Sequence, residues 1–429
     1  MTARRTHVVG AGIAGLSATL AATKEGGEAV LYEAAPWPGG RCRTIHPADG
    51  FSHDNGTHVL LSANRHALGL LKAVGARDRW IEPERKGLPL YDLRTGTMRT
   101  IGLSPWSWLW PSRRPRDMRV TDLTHLVRLA LSVRDRPVAS VIGDRPIMDS
   151  LIGPLTMAVL NTPPEVASAR RLALALRRLL WPRASRLLVA KNGLGEDLVQ
   201  PVIETLHVLG VPVLAGQRVR NLVTHGERVI GLSLTDRTIA LGPEDHVILA
   251  LPPYEIERLL PALPVPQRFE AILNVHFRLP GLEKPRFIGF TSALTQWLLV
   301  RRDHVSVTVS AADAVARGEA PDLLVSTIWR EIVPVLRDLG LVVVADRQPE
   351  VRIVKEKRAT IRQDAASLPQ PPLRPLANLA LAGDWLGALP ATIESAVISG
   401  KAAVAALRHP PSAGVHASRA HPPRREDAA

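Results

Sequence analysis

The chain has 429 residues, of which 46% are hydrophobic, and a formal net charge of +14. That length and apolar content suit a globular protein with a large core and, most simply, two domains. A single cysteine, Cys42, excludes an intramolecular disulfide, and no apolar run reaches the ~18 residues that a bilayer-spanning helix needs.

The Met1–Arg5 start leads straight into an apolar strand, so no signal peptide and a cytoplasmic location are expected. That strand, His7-Val8-Val9, runs into Gly10-Ala11-Gly12-Ile13-Ala14-Gly15, which opens an Ala-rich helix. A second apolar strand, Ala29-Val-Leu-Tyr32, ends in Glu33. Strand, glycine turn, helix, strand and terminal acid in this order form the dinucleotide fingerprint. Gly10 permits the tight turn, Gly12 lets backbone approach a pyrophosphate, and Gly15 lets the helix pack on its strand. The helix N-terminus offers free N–H groups to the phosphates, and Glu33 is placed to accept from a ribose. Gly39-Gly40-Arg41-Cys42 follows, with Cys42 expected as a small buried filler.

Residues 86–103 alternate like strands. Next comes Pro105-Trp106-Ser-Trp108-Leu-Trp110-Pro-Ser-Arg113-Arg114-Pro-Arg116, three Trp and three Arg between prolines. Residues 121–190 read as mostly helical. Between 101 and 190 there are 14 Arg and no Lys against 6 acids, a local excess of 14 − 6 = +8. Such an excess suits an anionic partner surface, although a genome that favours Arg leaves the same mark. No nucleic-acid recognition module accompanies it, so nucleic acid is not an expected partner. A helix is expected over 194–209, and strands over 211–215, 217–224, 228–235 and 246–251. Residues 270–310 alternate like strands, 321–339 read as a helix, and 351–355 and 379–382 as strands. The last helix is expected over 391–407. The tail from 409 lacks periodicity and is expected to be disordered. The His residues are scattered without ligand spacing, so no metal site is expected.

Leu379-Ala-Leu-Ala-Gly383-Asp384 is a buried strand breaking at Gly-Asp, and Thr392-Ile-Glu394 begins a helix with small residues on one face. A carboxylate at the strand end suits polyol hydroxyls, and free N–H groups at the helix start suit negative charge on a flavin ring. With the N-terminal fingerprint, this second cradle points to FAD rather than NAD. No second fingerprint appears, so a separate electron donor is expected.

These residues resemble the flavin amine oxidase and phytoene desaturase superfamily. Within it, six shorter motifs are similar to the squalene-associated branch, the hydroxysqualene dehydroxylases: Asp54-Asn55-Gly56-Thr57-His58, Asn161-Thr-Pro, Asn274-Val-His276, Gln296-Trp-Leu, Lys355-Glu-Lys-Arg358-Ala-Thr360 and Pro390-Ala-Thr392-Ile-Glu394. The resemblance spans residues 7–407. It implies an α/β fold with a discontinuous Rossmann-type FAD-binding domain (1–85, 191–255 and 350–408). The rest, 86–190 and 256–349, becomes a mixed α+β substrate domain with a helical cap. It places Arg41 by the pyrophosphate, Val219 by the adenine, and Gly56, Thr57 and His58 near the ring. The implied reaction replaces an allylic hydroxyl of a long apolar isoprenoid by hydrogen in hopanoid synthesis, with His58 and Arg41 as candidate donors to the leaving oxygen. Two departures lie beside the ring: Ser395 stands where the branch has Gly, and the loop from Asp384 to Pro390 is about one residue short.

Two readings compete. A carotenoid or phytoene-type desaturase would run the same scaffold as an oxidant. A flavin-retaining protein of a lipid pathway would not turn over at all. In either enzyme reading the substrate is water-insoluble, so Trp106, Trp108, Trp110 and the following arginines are expected to touch the inner face of a membrane. The alternative is a Trp-rich core strand beside a solvated Arg turn.

Overall fold

The computed structural model describes residues 4–408 apart from 25, 116, 182, 314–320, 345–346 and 367. Arg116 of the Trp/Arg segment and the tail from 409 therefore lie outside the described residues.

Five short apolar strands form a parallel sheet in the order Val213–Leu214, Glu28–Tyr32, Arg5–Val9, His246–Leu249, Leu379–Leu381. Parallel strands are buried on both faces, which explains their unbroken runs of Val, Leu and Ala. Helices Ile13–Lys24 and Ile393–Arg408 cover one face. They touch almost backbone to backbone: a Cβ on Gly400 would lie 2.3 Å from the Ala14 carbonyl oxygen, so only glycine fits there.

A second sheet has seven strands, ordered Val351–Ile361, Phe269–Arg278, His304–Ser310, Trp297–Val300, Arg286–Thr291, Leu88–Asp92, Thr97–Ile101. All neighbours are antiparallel except Arg286–Thr291 with Leu88–Asp92. Along Phe269–Arg278 the side chains alternate. Leu273, Val275 and Phe277 pack on helix Pro321–Asp338, whereas Ile272 and Asn274 face a central cavity. Above the cavity lies a helical layer, Asp122–Ala130, Val138–Ile142, Gly153–Leu160 and Ala169–Leu179, with its own core of Leu, Ile and Val around Trp108.

Four expectations change. Residues 187–190 are a strand, not helix, and pair with both Val59–Leu61 and Trp80–Ile81. Residues 217–220 are not strand: it begins at Asn221. Thr238–Ala240 is an additional strand, too short to carry a pattern. The strand expected over 351–355 runs to Ile361 and forms one edge of the seven-stranded sheet. As an edge strand it carries exposed Lys355, Lys357 and Arg358, and these charges hid its alternation.

Candidate active site

One cavity of about 650 Å³ runs between the two sheets and under the helical layer. Its first end is built from backbone. Gly10 sits at φ +102°, and its N–H donates to the Tyr32 carbonyl at 2.7 Å. A Cβ on Gly15 would lie 1.8 Å from the Gly10 oxygen. A Cβ on Gly12 would meet nothing within 4 Å, so the space above it is open to the cavity. Gly39 donates to the Ala11 carbonyl at 2.8 Å and folds Gly40 and Arg41 over this opening. Glu33 accepts the Ala11 N–H at 2.7 Å on one oxygen and the Ala35 N–H at 2.8 Å on the other. Glu33 itself lines the cavity. A turn crowded everywhere except at Gly12, before a helix with no acid in its first turn, fits a pyrophosphate.

Of the residues marked in the sequence, Gly10, Gly12, Ile13, Ala14, Glu33, Gly40, Arg41, Gly56, Thr57, His58, Val219, Gly383, Asp384 and Thr392 all line this one cavity. Ala11 and Gly15 do not. Ala11 spends its N–H on Glu33, and Gly15 packs beneath the Gly10 carbonyl. The Val219 carbonyl accepts from Arg258 Nη2 at 3.0 Å. Thr392 caps the helix Ile393–Arg408, its carbonyl accepting from Ala396 at 3.0 Å. Ser395 is not among the residues that line the cavity, and its hydroxyl closes the short loop by donating to Pro390 O at 2.5 Å.

Arg41 reaches across the opening. Its Nη2 pairs with Asp384 Oδ1 at 2.7 Å, and Nη1 donates to the Ala359 carbonyl. The donor expected by the pyrophosphate and the carboxylate expected by the polyol thus hold each other. His58 lies beside them. Burial, then the neighbouring Arg41 charge, pushes its pKa down to about 4. Its imidazole is therefore neutral near pH 7, and its single N–H bonds the Arg41 backbone. Cys42 is buried, and burial pushes its thiol up to about 12, so it is an inert filler.

Three motifs prove to be struts. Asp54 accepts from Thr44 Oγ1, Leu194 N and the buried Arg301 Nη1, fixing the loop that carries Gly56 to His58. Asn161 ends helix Gly153–Leu160 at φ +47° and ties it to Ala311 N and Thr360 Oγ1. Glu394 accepts from His66 N and Ala67 N, capping helix Arg65–Ala73 rather than its own, and pairs with Arg178 at 3.4 Å. His276 is fully buried beside His53 and His304, with Nδ1 bonded to Ser306 Oγ and Nε2 without a partner. Burial and those two rings hold it neutral.

The other end of the cavity is apolar: Leu90, Leu103, Leu155, Leu179, Phe290 and the stacked pair Phe287 and Trp297, whose rings lie 5.4 Å apart. Neutral Asn274, Thr308 and Ser310 line the cavity from the strands Phe269–Arg278 and His304–Ser310, and charged Glu356 and Arg358 line it from the edge strand Val351–Ile361. Asn274 Oδ1 accepts from Thr308 at 2.8 Å and Thr57 N at 3.4 Å, joining the sheet to the loop before His58. Sequence reading marked Asn274 only as part of a motif. It also missed Tyr254, under the Arg358 guanidinium at 4.3 Å. Among the described residues, no group of three or more His, Cys, Asp or Glu is placed to hold a metal ion.

Comparison with known proteins agrees with this geometry. Residues 13–280 match the family of flavin containing amine oxidoreductases. The chain is 35% identical to the hydroxysqualene dehydroxylase of Rhodopseudomonas palustris, over 92% of this chain and 96% of that protein. It is 34% identical to that of Zymomonas mobilis, over 94% and 99%. The chain belongs to the hydroxysqualene dehydroxylase family. It is an FAD-dependent oxidoreductase of the amine oxidase superfamily. The fold is shared with cyclohexylamine oxidase from Brevibacterium oxydans, at a TM-score of 0.67 and 16% identity over 94% of this chain and 98% of that one.

Proposed function

We propose that this dehydroxylase-family chain replaces the allylic hydroxyl of hydroxysqualene by hydrogen, giving squalene. One observation carries the reading beyond family membership: a single cavity joins a dinucleotide cradle to a wall of Leu, Phe and Trp side chains. A C30 chain with one hydroxyl suits that wall.

The FAD would lie along Gly10, Gly12 and Arg41, with Glu33 on its ribose, Val219 by its adenine, and Asp384, Thr392 and Gly56 toward its polyol and ring. When bound and reduced, it supplies a hydride. The substrate's carbon–oxygen bond breaks, a carbon–hydrogen bond forms at that carbon, and the oxygen leaves with one proton as water. The two electrons come from a separate reductant that reloads the flavin. With substrate bound, neutral His58 turns to the departing oxygen the single N–H that otherwise bonds the Arg41 backbone. With a pKa of about 4 it is protonated in roughly one molecule in a thousand at pH 7, so it orients the oxygen and the net proton comes from water. Arg41 positions Asp384 instead of meeting the substrate.

The test is product analysis. The dithionite-reduced holoprotein is incubated with hydroxysqualene, the oxidised holoprotein with phytoene, and products are identified by mass spectrometry. Squalene from the first supports the proposal. Dehydrogenated phytoene without squalene would make the chain a desaturase, and bound flavin with neither product a non-catalytic protein.

A further inference from the structure

The Trp-rich segment folds neither as a core strand nor as one docking unit. It forms two short turns, Pro105–Leu109 and Pro111–Arg113. Trp108 points inward, 4% exposed, lines the cavity and donates to the Gly102 carbonyl at 2.7 Å. Trp106 and Trp110 point outward, 60% and 61% exposed.

Two hydrogen bonds gather further apolar side chains to the same place. Trp106 Nε1 donates to Leu180 O at 3.1 Å, which sets Trp106 beside Trp181 (66% exposed). Arg177 Nε donates to Ala130 O at 2.6 Å, which brings in Leu131 (65% exposed) and, one turn earlier on the same helix face, Val127. Monomeric proteins rarely leave so many large apolar side chains together in water. The patch also continues a wall of the cavity: Pro105, Trp108, Leu176 and Leu179 line the inside of the elements whose outside carries it. Around it lie exposed Arg128, Arg134 and Arg183. Half-buried Arg113 and Arg114 spend hydrogen bonds on the carbonyls of Lys86, Trp108 and Leu109, which leaves their charge in place.

We infer that this face, centred on Trp106, Trp110, Trp181 and Leu131, docks on an anionic lipid bilayer, with the apolar end of the cavity set against the lipid. The occupant follows from chemistry. Tryptophan favours the boundary between headgroups and acyl chains, and arginines beside it favour anionic headgroups. A protein partner would not need the cavity wall to lie behind the patch; a lipid-dissolved ligand does. Among the described residues no helix is long and apolar enough to cross a membrane, so the contact is peripheral. The delivery of substrate through this face rests on the function proposed above, whereas vesicle binding does not.

The experiment is co-sedimentation of the FAD-loaded full chain with vesicles of neutral phosphatidylcholine, or of phosphatidylcholine with phosphatidylglycerol. Binding to the anionic vesicles is expected, falling as the screening length shrinks from ~10 Å at about 0.1 M salt to ~3 Å at about 1 M. The triple variant Trp106→Ser, Trp110→Ser, Trp181→Ser should keep its flavin and lose binding roughly tenfold or more, since three indole anchors are removed. Because none of the three lines the cavity, turnover of detergent-dispersed substrate should be unchanged and turnover of vesicle-borne substrate should fall. No wild-type binding, or equal binding by a flavin-loaded triple variant, overturns the inference. So does a solution dimer that the triple variant disperses without any vesicle binding, which would assign the patch to a second copy. If vesicles bind as expected but no squalene forms in either assay, the docking stands and the proposed reaction fails.

Discussion

The two ends of the cavity are held by different means. The pyrophosphate end of the cradle is held by backbone: its tolerances are set by Cβ distances at Gly10, Gly15 and Gly40, which lie close in sequence. The apolar end is assembled from one sheet, a helical layer and two turns, and struts such as Asn161, Asn274 and Glu394 keep those pieces in register. Rigid backbone suits a cofactor that stays. Side chains of similar size can exchange in the apolar wall without loss of fold, which suits the end that decides the substrate.

The largest effect should come from paired glycine substitutions in the cradle. Gly15→Val forces a side chain into the Gly10 carbonyl and should cost about 3 kcal/mol or more, with flavin lost and a lowered melting temperature. Gly12→Leu meets open space and should fold normally but purify colourless, because its side chain takes the pyrophosphate position. Equal flavin in the Gly12 variant and wild type would break the account of the cradle.

A second pair separates strut from cradle. Glu394→Ala orphans two helix N–H groups and Arg178, and should cost about 2 kcal/mol in chemical denaturation. Flavin affinity at a temperature where the variant is folded should barely change. Asp384→Ala removes a partner of Arg41 and a cavity carboxylate. It should weaken FAD by roughly ten- to a hundredfold, about 1–3 kcal/mol, with a smaller effect on stability. A reversal of these two outcomes would show that the roles are misassigned.

Two smaller effects are read from pH. Burial, then a hydrogen bond with Asp313, raises Glu270 from 4.5 to about 7, with Asp364 adding to the rise and Arg362 opposing it. A carboxyl raised on folding stabilises most below its unfolded pKa, and that contribution is lost as pH rises through about 7. Glu270→Gln should therefore gain on wild type in melting temperature between mildly acidic and mildly alkaline buffer. A constant difference would contradict the assignment. His58 sits at about 4, so the rate should show no His58 inflection between weakly acidic and neutral pH. An inflection near neutrality that disappears in His58→Asn would sink its role as a neutral donor.

The sequence made the cradle readable because each glycine there answers a local need that its spacing reports. The five parallel strands were readable for the same reason: burial on both faces leaves unbroken apolar runs. What was hidden came from long range or from the surface. Arg41 and Asp384 are 343 residues apart, and nothing local says they pair. The edge strand Val351–Ile361 lost its pattern under charges, and Leu187–Ala190 followed an Arg-rich helix closely enough to be read as part of it. Trp106, Trp108 and Trp110 looked equivalent. Only the turn of Pro105–Leu109 decides that the middle one faces the cavity.

The most direct measurement follows the hydrogen. The holoprotein is reduced anaerobically so that the flavin carries deuterium at N5, then mixed once with hydroxysqualene in an exchange time shorter than solvent washout. The account predicts flavin reoxidation matched one to one by squalene carrying deuterium at the carbon that lost its hydroxyl. Reoxidation without squalene, or squalene formed without matching flavin reoxidation, would contradict it.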